Sequence, residues 1–419
     1  MKNLEAQIID TAKKAKEASY KLAVLSRHIK DDALSGMAGA LNKNRNIILA
    51  ANQKDIIAAK KTNLSPALID RLVLNEKRLA AMSDSFKAIA KLEDPVGEII
   101  KAWQPDNGLI IRKMRVPIGV IGIIYETRPN LTSDCIGLCL KSGNAVILRG
   151  GKEAINSNKA IFKILNNAAM DYNIPKCAIS FIDSTDRSVV KTLVGLSGLV
   201  DLIMPRGGEG LINEIMRFSK IPVIKHYKGI CHTYVDKSAD LAMAQNVSFN
   251  AKVQRPGVCN AMETLLVHKD IAAKFLPVMI KKYHQANVEI RGCQKTKKIV
   301  PNIKIAKEND WSTEYLDLIL SVKVVDNLEE AVRHINKYGS MHSDAIITED
   351  KASAKQFLEM VDSACVYVNS STRFTDGGEF GFGAEIGIST EKLHARGPMA
   401  LEELTTYKYH IVGSGQIRQ

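Results

Sequence analysis

The chain has 419 residues, 46% apolar and 25% charged, which excludes a disordered polypeptide or a small peptide module and leaves length for about two or three domains. Lys and Arg total 58 against 45 Asp and Glu, a formal charge of +13 that favours anionic partners without choosing among them. Aromatic residues are only 5% and no long block of Lys and Arg occurs, so stacking platforms and basic arms are scarce and no nucleic-acid partner is expected.

Met1 to Tyr20 carries scattered Lys, Glu and Asp and no apolar core before a small-residue cleavage site, so no secretory signal is expected. No uncharged apolar run reaches the about 18 residues of a membrane span. A cytoplasmic location with no membrane partner follows as the expectation. Leu4, Ile8, Ala12, Ala15, Leu22, Leu25 and Ile29 recur at mostly three- and four-residue steps, which predicts an amphipathic helix. The same texture runs from Asp32 to Leu92, broken at Asn63 to Pro66.

The period then changes. Two strand-like runs, Gly97 to Trp103 and Leu109 to Val116, flank Pro105-Asp106-Asn107-Gly108, a hairpin signal. Strand and helix patterns alternate afterwards: strand Val120–Tyr125, helix Thr132–Lys141, strand Ala145–Leu148, helix Ser157–Met170, strand Ile179–Ile182, a short helix near Val189 and strand Leu199–Met204. Such βα units predict a parallel, doubly wound sheet that binds ligands at the carboxyl ends of its strands. A second α/β segment follows, with strands at Thr264–Val267, Leu318–Val325, Ser343–Thr348 and Val366–Asn369, a Gly-rich stretch from Gly377 to Gly387, and a last strand at Tyr407–Val412.

The Gly-x-Gly-x-x-Gly dinucleotide fingerprint is absent, but two glycine turns stand at strand ends. Arg149-Gly150-Gly151-Lys152 follows the Val146-Ile147-Leu148 run, and Pro205-Arg206-Gly207-Gly208 follows Leu202-Ile203-Met204 and opens a helix. Bare backbone with a helix N-terminus suits phosphate, and Arg149 and Lys152 suit a further phosphate on an adenosine ribose; ordinary turn glycines beside surface bases are the alternative.

The seven cysteines are scattered and form no CxxC pair, so reduced thiols are expected and no metal site. Cys259 follows Arg255-Pro256-Gly257, a turn that exposes a thiol beside a cation able to stabilise its thiolate, although an isolated Cys is more often a small buried hydrophobe. Cys231 competes because His232 adjoins it and His226 is near, but neighbours on a strand face opposite ways. Both histidines read by default as structural. Glu314 reads as either a functional or a helix-capping carboxylate.

Four runs together are specific: Pro117 to Asn130 (PIGVIGIIYETRPN), Pro205 to Gly208, Gln254 to Ala261 (QRPGVCNA), and Glu379 to Thr390 (EFGFGAEIGIST) with Leu393 to Met399. In these runs, in order over essentially the whole chain, the sequence resembles the gamma-glutamyl phosphate reductase family (glutamate-5-semialdehyde dehydrogenases) of the aldehyde dehydrogenase superfamily. The resemblance implies an α/β, aldehyde dehydrogenase-like fold. It has a Rossmann-type NADP(H)-binding domain (1–97 and 117–227), an α/β catalytic domain with the nucleophilic Cys (228–403) and a small β oligomerisation arm (98–116 and 404–419).

It also implies NADPH-dependent reduction of L-glutamyl 5-phosphate to the semialdehyde through a cysteine thioester, in proline biosynthesis, by a homo-oligomer with possible functional coupling to glutamate 5-kinase. Another acylating or phosphorylating aldehyde dehydrogenase with a related acidic substrate is the alternative. Cys259 matches the nucleophile, Glu314 the carboxylate on the nicotinamide ribose, and Pro205 to Gly208 the pyrophosphate site. Asn130, with Arg128 as the alternative, lies where the superfamily positions an oxyanion donor. His226 falls where hydrolytic members keep a glutamate base, a departure that suits a reaction with no hydrolysis step. Arg255, Ser370, Arg373 and Arg396, with Arg128 and His226, complete the expected substrate site; Arg373 and Arg396 read equally as structural ion pairs.

Overall fold

Residues 2–62, 64–225 and 228–418 are described in the structure, a computed structural model. The chain divides into two compact units, Met1–Lys225 with Gly381–Gly387 and Met399–Gln419, and His226–Phe380 with Ile388–Pro398.

In the first unit five helices, Lys2–Leu22, Arg27–Lys43, Arg45–Lys61, Pro66–Leu72 and Glu76–Lys91, precede any strand. The expected break falls between the third and fourth, where Pro66 opens the new helix; Asn63 lies outside the described residues. Ile8, Ala12 and Ala15, spaced to share one face of the first helix, join Val120, Ile124, Ala145 and Ile147 in a single buried cluster. That cluster covers a four-stranded parallel sheet ordered Ile179–Phe181, Ala145–Gly150, Val120–Tyr125, Leu202–Arg206. Val120–Tyr125 is buried along its whole length, as a parallel strand covered on both faces must be. The chain runs outward through two strands and then returns to the other side of the first, so a topological switch point lies between Tyr125 and Arg206.

The hairpin strands Ile99–Trp103 and Ile110–Pro117 pair antiparallel, and the last strand, Thr405–Val412, adds to the second of them with Tyr407 opposite Arg115. Arg115 ties the three together through Glu98 at 2.7 Å and Glu402 at 3.1 Å.

The second unit is built on a seven-stranded parallel sheet ordered Lys304–Ile305, Glu289–Gly292, Ile319–Val325, Met262–His268, Cys231–Val235, Ser343–Ile347, Cys365–Val368. Its strands feed two cores by alternation: Leu265 and Val267 pack with Phe275, Met279 and Tyr283 of the helix Lys269–Gln285, whereas Leu266 packs with Val332, Ile335 and Phe357 on the other face. Helix Leu241–Val253 starts where the Asp240 carboxylate accepts the Met243 N–H at 2.7 Å.

Candidate active site

The helix Leu241–Val253 and the buried strand Met262–His268 are joined by a loop that carries Cys259. Pro256 and Gly257 turn the chain, and the Ala261 N–H donates to the Val258 carbonyl at 3.1 Å, closing a second turn around the cysteine. Cys259 is half-buried, whereas Cys231 is fully buried. Burial holds the Cys231 thiol well above its ordinary range, and the Asp344 carboxylate pushes it the same way. Cys231 is therefore a protonated donor: its S–H reaches the Cys259 carbonyl at 3.2 Å.

Gly229 lies against the same backbone. A Cβ at position 229 would stand 1.8 Å from the Cys259 carbonyl oxygen, so only glycine permits the approach. The Gly229 N–H donates to the Glu314 carboxylate at 2.9 Å, which brings the expected ribose-binding glutamate beside the cysteine loop. Two residues on, the Leu316 N–H donates to Glu263 at 3.2 Å, and the other Glu263 oxygen receives the Lys252 ammonium at 2.7 Å.

Arg373 belongs to the same cluster. Its Nε donates to Gln254 at 2.9 Å and its Nη1 to the Asn260 side chain, gripping the cysteine loop on both sides. The Asn260 amide donates to the Thr375 carbonyl at 2.9 Å, and the Thr372 hydroxyl donates to the Asn260 carbonyl at 2.7 Å. Burial holds the Arg373 guanidinium below its ordinary value; the Arg255 charge adds to that, and Cys259 acts the other way. Arg373 thus lies within electrostatic reach of both Arg255 and Cys259. Ser370 is half-buried just before this turn. Arg396 is held elsewhere in the second unit, its terminal nitrogens 2.7 Å from the Asp362 carboxylate and carbonyl. His226 lies outside the described residues.

In the first unit the remaining residues gather at strand carboxyl ends. Arg149 ends Ala145–Gly150, where its Nη2 donates to the Thr185 carbonyl at 3.3 Å while its buried Nε has no hydrogen-bond partner among the described residues. Gly151 and exposed Lys152 follow. Pro205 and Arg206 end Leu202–Arg206, and Gly207 and Gly208 lead into the helix Glu209–Phe218. Half-buried Arg128 and exposed Asn130 stand at the start of the helix Asn130–Lys141, where the Asn130 amide donates to Asp134 at 3.1 Å.

The sequence reading passed over several residues. Glu126, directly after the central strand, accepts the Gly208 N–H at 2.9 Å, and a Cβ on Gly207 would lie 2.5 Å from its carboxylate. Lys252, Glu263 and Gly229 also went unnoticed. Glu263 carried the legible signal: a carboxylate inside the run Met262 to Val267 requires a buried partner. His232 is a structural histidine, buried with its Nδ1 2.8 Å from the buried Asp344. No cluster of three or more His, Cys, Asp or Glu suited to a metal occurs among the described residues.

The family model described as the aldehyde dehydrogenase family matches residues 3–317 and 310–409. Gamma-glutamyl phosphate reductase of Caldanaerobacter subterraneus subsp. tengcongensis is 60% identical to the chain over 408 residues, 97% of this chain and 99% of that protein. Its counterpart from Thermodesulfovibrio yellowstonii is 55% identical over 412 residues, 98% and 99% of the two chains. The crystal structure of gamma-glutamyl phosphate reductase from Thermotoga maritima is similar with a TM-score of 0.96 at 48% identity, covering 98% of this chain and 100% of that one. An acetylating aldehyde dehydrogenase from Geobacillus thermoglucosidasius shares the fold, with a TM-score of 0.70 at 18% identity over 100% and 98% of the chains.

Proposed function

The chain belongs to the aldehyde dehydrogenase family and, within it, to the gamma-glutamyl phosphate reductases, and we propose that it reduces L-glutamyl 5-phosphate with NADPH to L-glutamate 5-semialdehyde and phosphate through a thioester on Cys259, in proline biosynthesis. The observation that carries the mechanism is the contrast between two thiols. Cys259 sits half-open on a turn beside Arg255 and Arg373, while Cys231 is sealed and protonated.

The Cys259 thiolate attacks the gamma-carbonyl carbon, the new C–S bond forms, and the acyl C–O bond breaks with its electron pair leaving on phosphate. The Cys259 backbone N–H and the Asn130 amide, with Arg128 as the alternative, are the proposed donors to the intermediate oxyanion. Arg255, Arg373 and Arg396 are the proposed hosts for the anionic groups of the substrate, with Ser370 near Arg373 in the chain; Arg396 shares the Asp362 carboxylate with Lys392, and its buried Nε has no hydrogen-bond partner among the described residues.

The first unit is the proposed cofactor domain and the second the catalytic domain. Arg149, whose buried Nε lacks a partner among the described residues, suits an anionic ligand, as do Lys152 and the bare backbone of Gly150, Gly151, Gly207 and Gly208. When bound, NADPH would supply the hydride that takes the acyl carbon to the aldehyde level, and the C–S bond breaks with its electron pair returning to the Cys259 sulfur. Glu314 is the proposed partner of the nicotinamide ribose.

The antiparallel arm exposes Trp103, Tyr407, Tyr409 and Ile411 on one face of a sheet whose outer strands are unpaired within the described chain. A homo-oligomer in which a second copy covers this face is part of the proposal. An acyl phosphate is also labile enough to favour direct handover from glutamate 5-kinase. No helix among the described residues is long and apolar enough to cross a membrane.

The test is NADP⁺ reduction with glutamate 5-semialdehyde and phosphate. Cys259→Ser is expected to lose activity while Cys231→Ala retains most of it. Full activity in the Cys259 variant, or efficient turnover without phosphate, overturns the reading.

A further inference from the structure

Four elements meet around the cysteine loop, and two buried charges join them. Lys252 closes the helix before the loop and Glu263 is the second residue of the strand after it. Their side chains lie 2.7 Å apart and expose no surface. Placing an ammonium and a carboxylate in a protein interior is costly, and an apolar pair of similar volume generally stabilises a fold as well or better. The arrangement therefore asks for a reason other than stability.

The remaining hydrogen bonds supply one. The second Glu263 oxygen accepts the Leu316 N–H at 3.2 Å, and Leu316 has a φ of 54°, a left-handed conformation that a leucine adopts only when its surroundings hold it there. The same short segment carries Glu314, which holds the Gly229 N–H at 2.9 Å. Gly229 in turn lies against the Cys259 backbone. Lys252, Glu263, Leu316, Glu314, Gly229 and Cys259 thus form a closed circuit, each link a hydrogen bond, a short chain segment or a backbone contact.

We infer that Lys252 and Glu263 are positioning residues for the nucleophile: the buried pair clamps both ends of the Cys259 loop and, through the Leu316 amide, sets the segment that presents Glu314. The inference rests on Cys259 being the nucleophile. The two charges touch neither substrate nor cofactor; they fix where the thiolate stands. A shift of about 1 Å at a reacting atom is enough to cost roughly a hundredfold in rate.

The double variant Lys252→Met/Glu263→Met removes both charges at nearly constant volume and strands neither. It is expected to fold with a melting temperature close to that of the parent. Its kcat for phosphate-dependent NADP⁺ reduction should fall about tenfold or more. Alkylation of Cys259 by iodoacetamide should slow by a similar factor, and KM for NADP⁺ should rise, because the same pair sets the segment that carries Glu314. Lys252→Arg, which keeps the charge, should recover much of the rate. Should the double variant not accumulate as folded protein, Glu263→Asp, which draws the carboxylate back while keeping the pair charged, makes the same comparison.

Parental kcat and alkylation rate in a folded variant overturn the inference, as does a lowered melting temperature with both rates unchanged. Retained activity in Cys259→Ser is a separate failure, that of the nucleophile assignment.

Discussion

Gly229 and Cys259 meet backbone to backbone, so closely that a methyl group on Gly229 would lie 1.8 Å from the Cys259 carbonyl oxygen. Nothing at the far end of a flexible side chain can yield there; the cysteine loop itself must move. Gly229→Ala is therefore expected to leave circular dichroism essentially unchanged and to lower kcat by about a hundredfold, the scale of a displacement near 1 Å. Parental kcat in the folded variant would show that the loop tolerates the shift.

The two cysteines at this loop should differ in reactivity. Cys231 donates to the Cys259 carbonyl, and burial followed by the Asp344 charge holds its thiol far above the working pH. At pH 8, iodoacetamide should label Cys259 in the native enzyme and leave Cys231 unlabelled until the protein is unfolded. Peptide mass spectrometry over a time course reads this directly, and labelling of Cys231 at the rate of Cys259 would contradict the burial argument.

At the topological switch point of the first unit, a carboxylate occupies the turn proposed for the cofactor pyrophosphate. Glu126 accepts the Gly208 N–H, and an incoming diphosphate has to displace it against like charge. Even at the dielectric of water, two unit charges about 4 Å apart repel by about 1 kcal/mol, roughly fivefold in Kd. Glu126→Gln should thus bind NADPH about fivefold tighter or more in a fluorescence titration. Unchanged or weaker binding would mean that the carboxylate does not compete.

Strand and helix order in both units was legible because a parallel sheet writes continuous apolar runs such as Val120 to Tyr125, and amphipathic helices write three- and four-residue steps. Weak patterns escaped notice. Glu289–Gly292 is four residues long and alternates charged with buried positions, and Lys351–Met360 buries only Phe357. The residues nearest Cys259 in sequence, Arg255 and Asn260, were in view; Gly229, Glu314 and Arg373 converge on it from three other segments. The resemblance supplied Glu314 and left Gly229 out. A glycine whose role is close approach leaves no local trace, because the atom it makes room for belongs to another part of the chain.

Acid stability depends in part on a buried imidazole. His334 is enclosed by Trp311, Tyr338 and His232, with the Lys323 ammonium 3.4 Å from its Nδ1, and its Nε2 has no hydrogen-bond partner among the described residues. Burial pushes its pKa down to about 2, and the charges of His232, Lys323 and Lys337 push it the same way. The folded protein holds this ring neutral, whereas the unfolded chain protonates it below about 6.5. Between those values the unfolded state binds one more proton, so stability falls as pH falls, by up to about 1.4 kcal/mol per pH unit from this group alone. Above pH 6.5 the contribution vanishes. Replacing His334 with Leu carries its own packing cost at every pH, so the informative quantity is the difference in slope. Urea unfolding at pH 7.5 and 5.5 should show the parent losing about 1.4 kcal/mol more than His334→Leu over that interval. Equal losses in the two proteins would mean that the ring takes up its proton without unfolding.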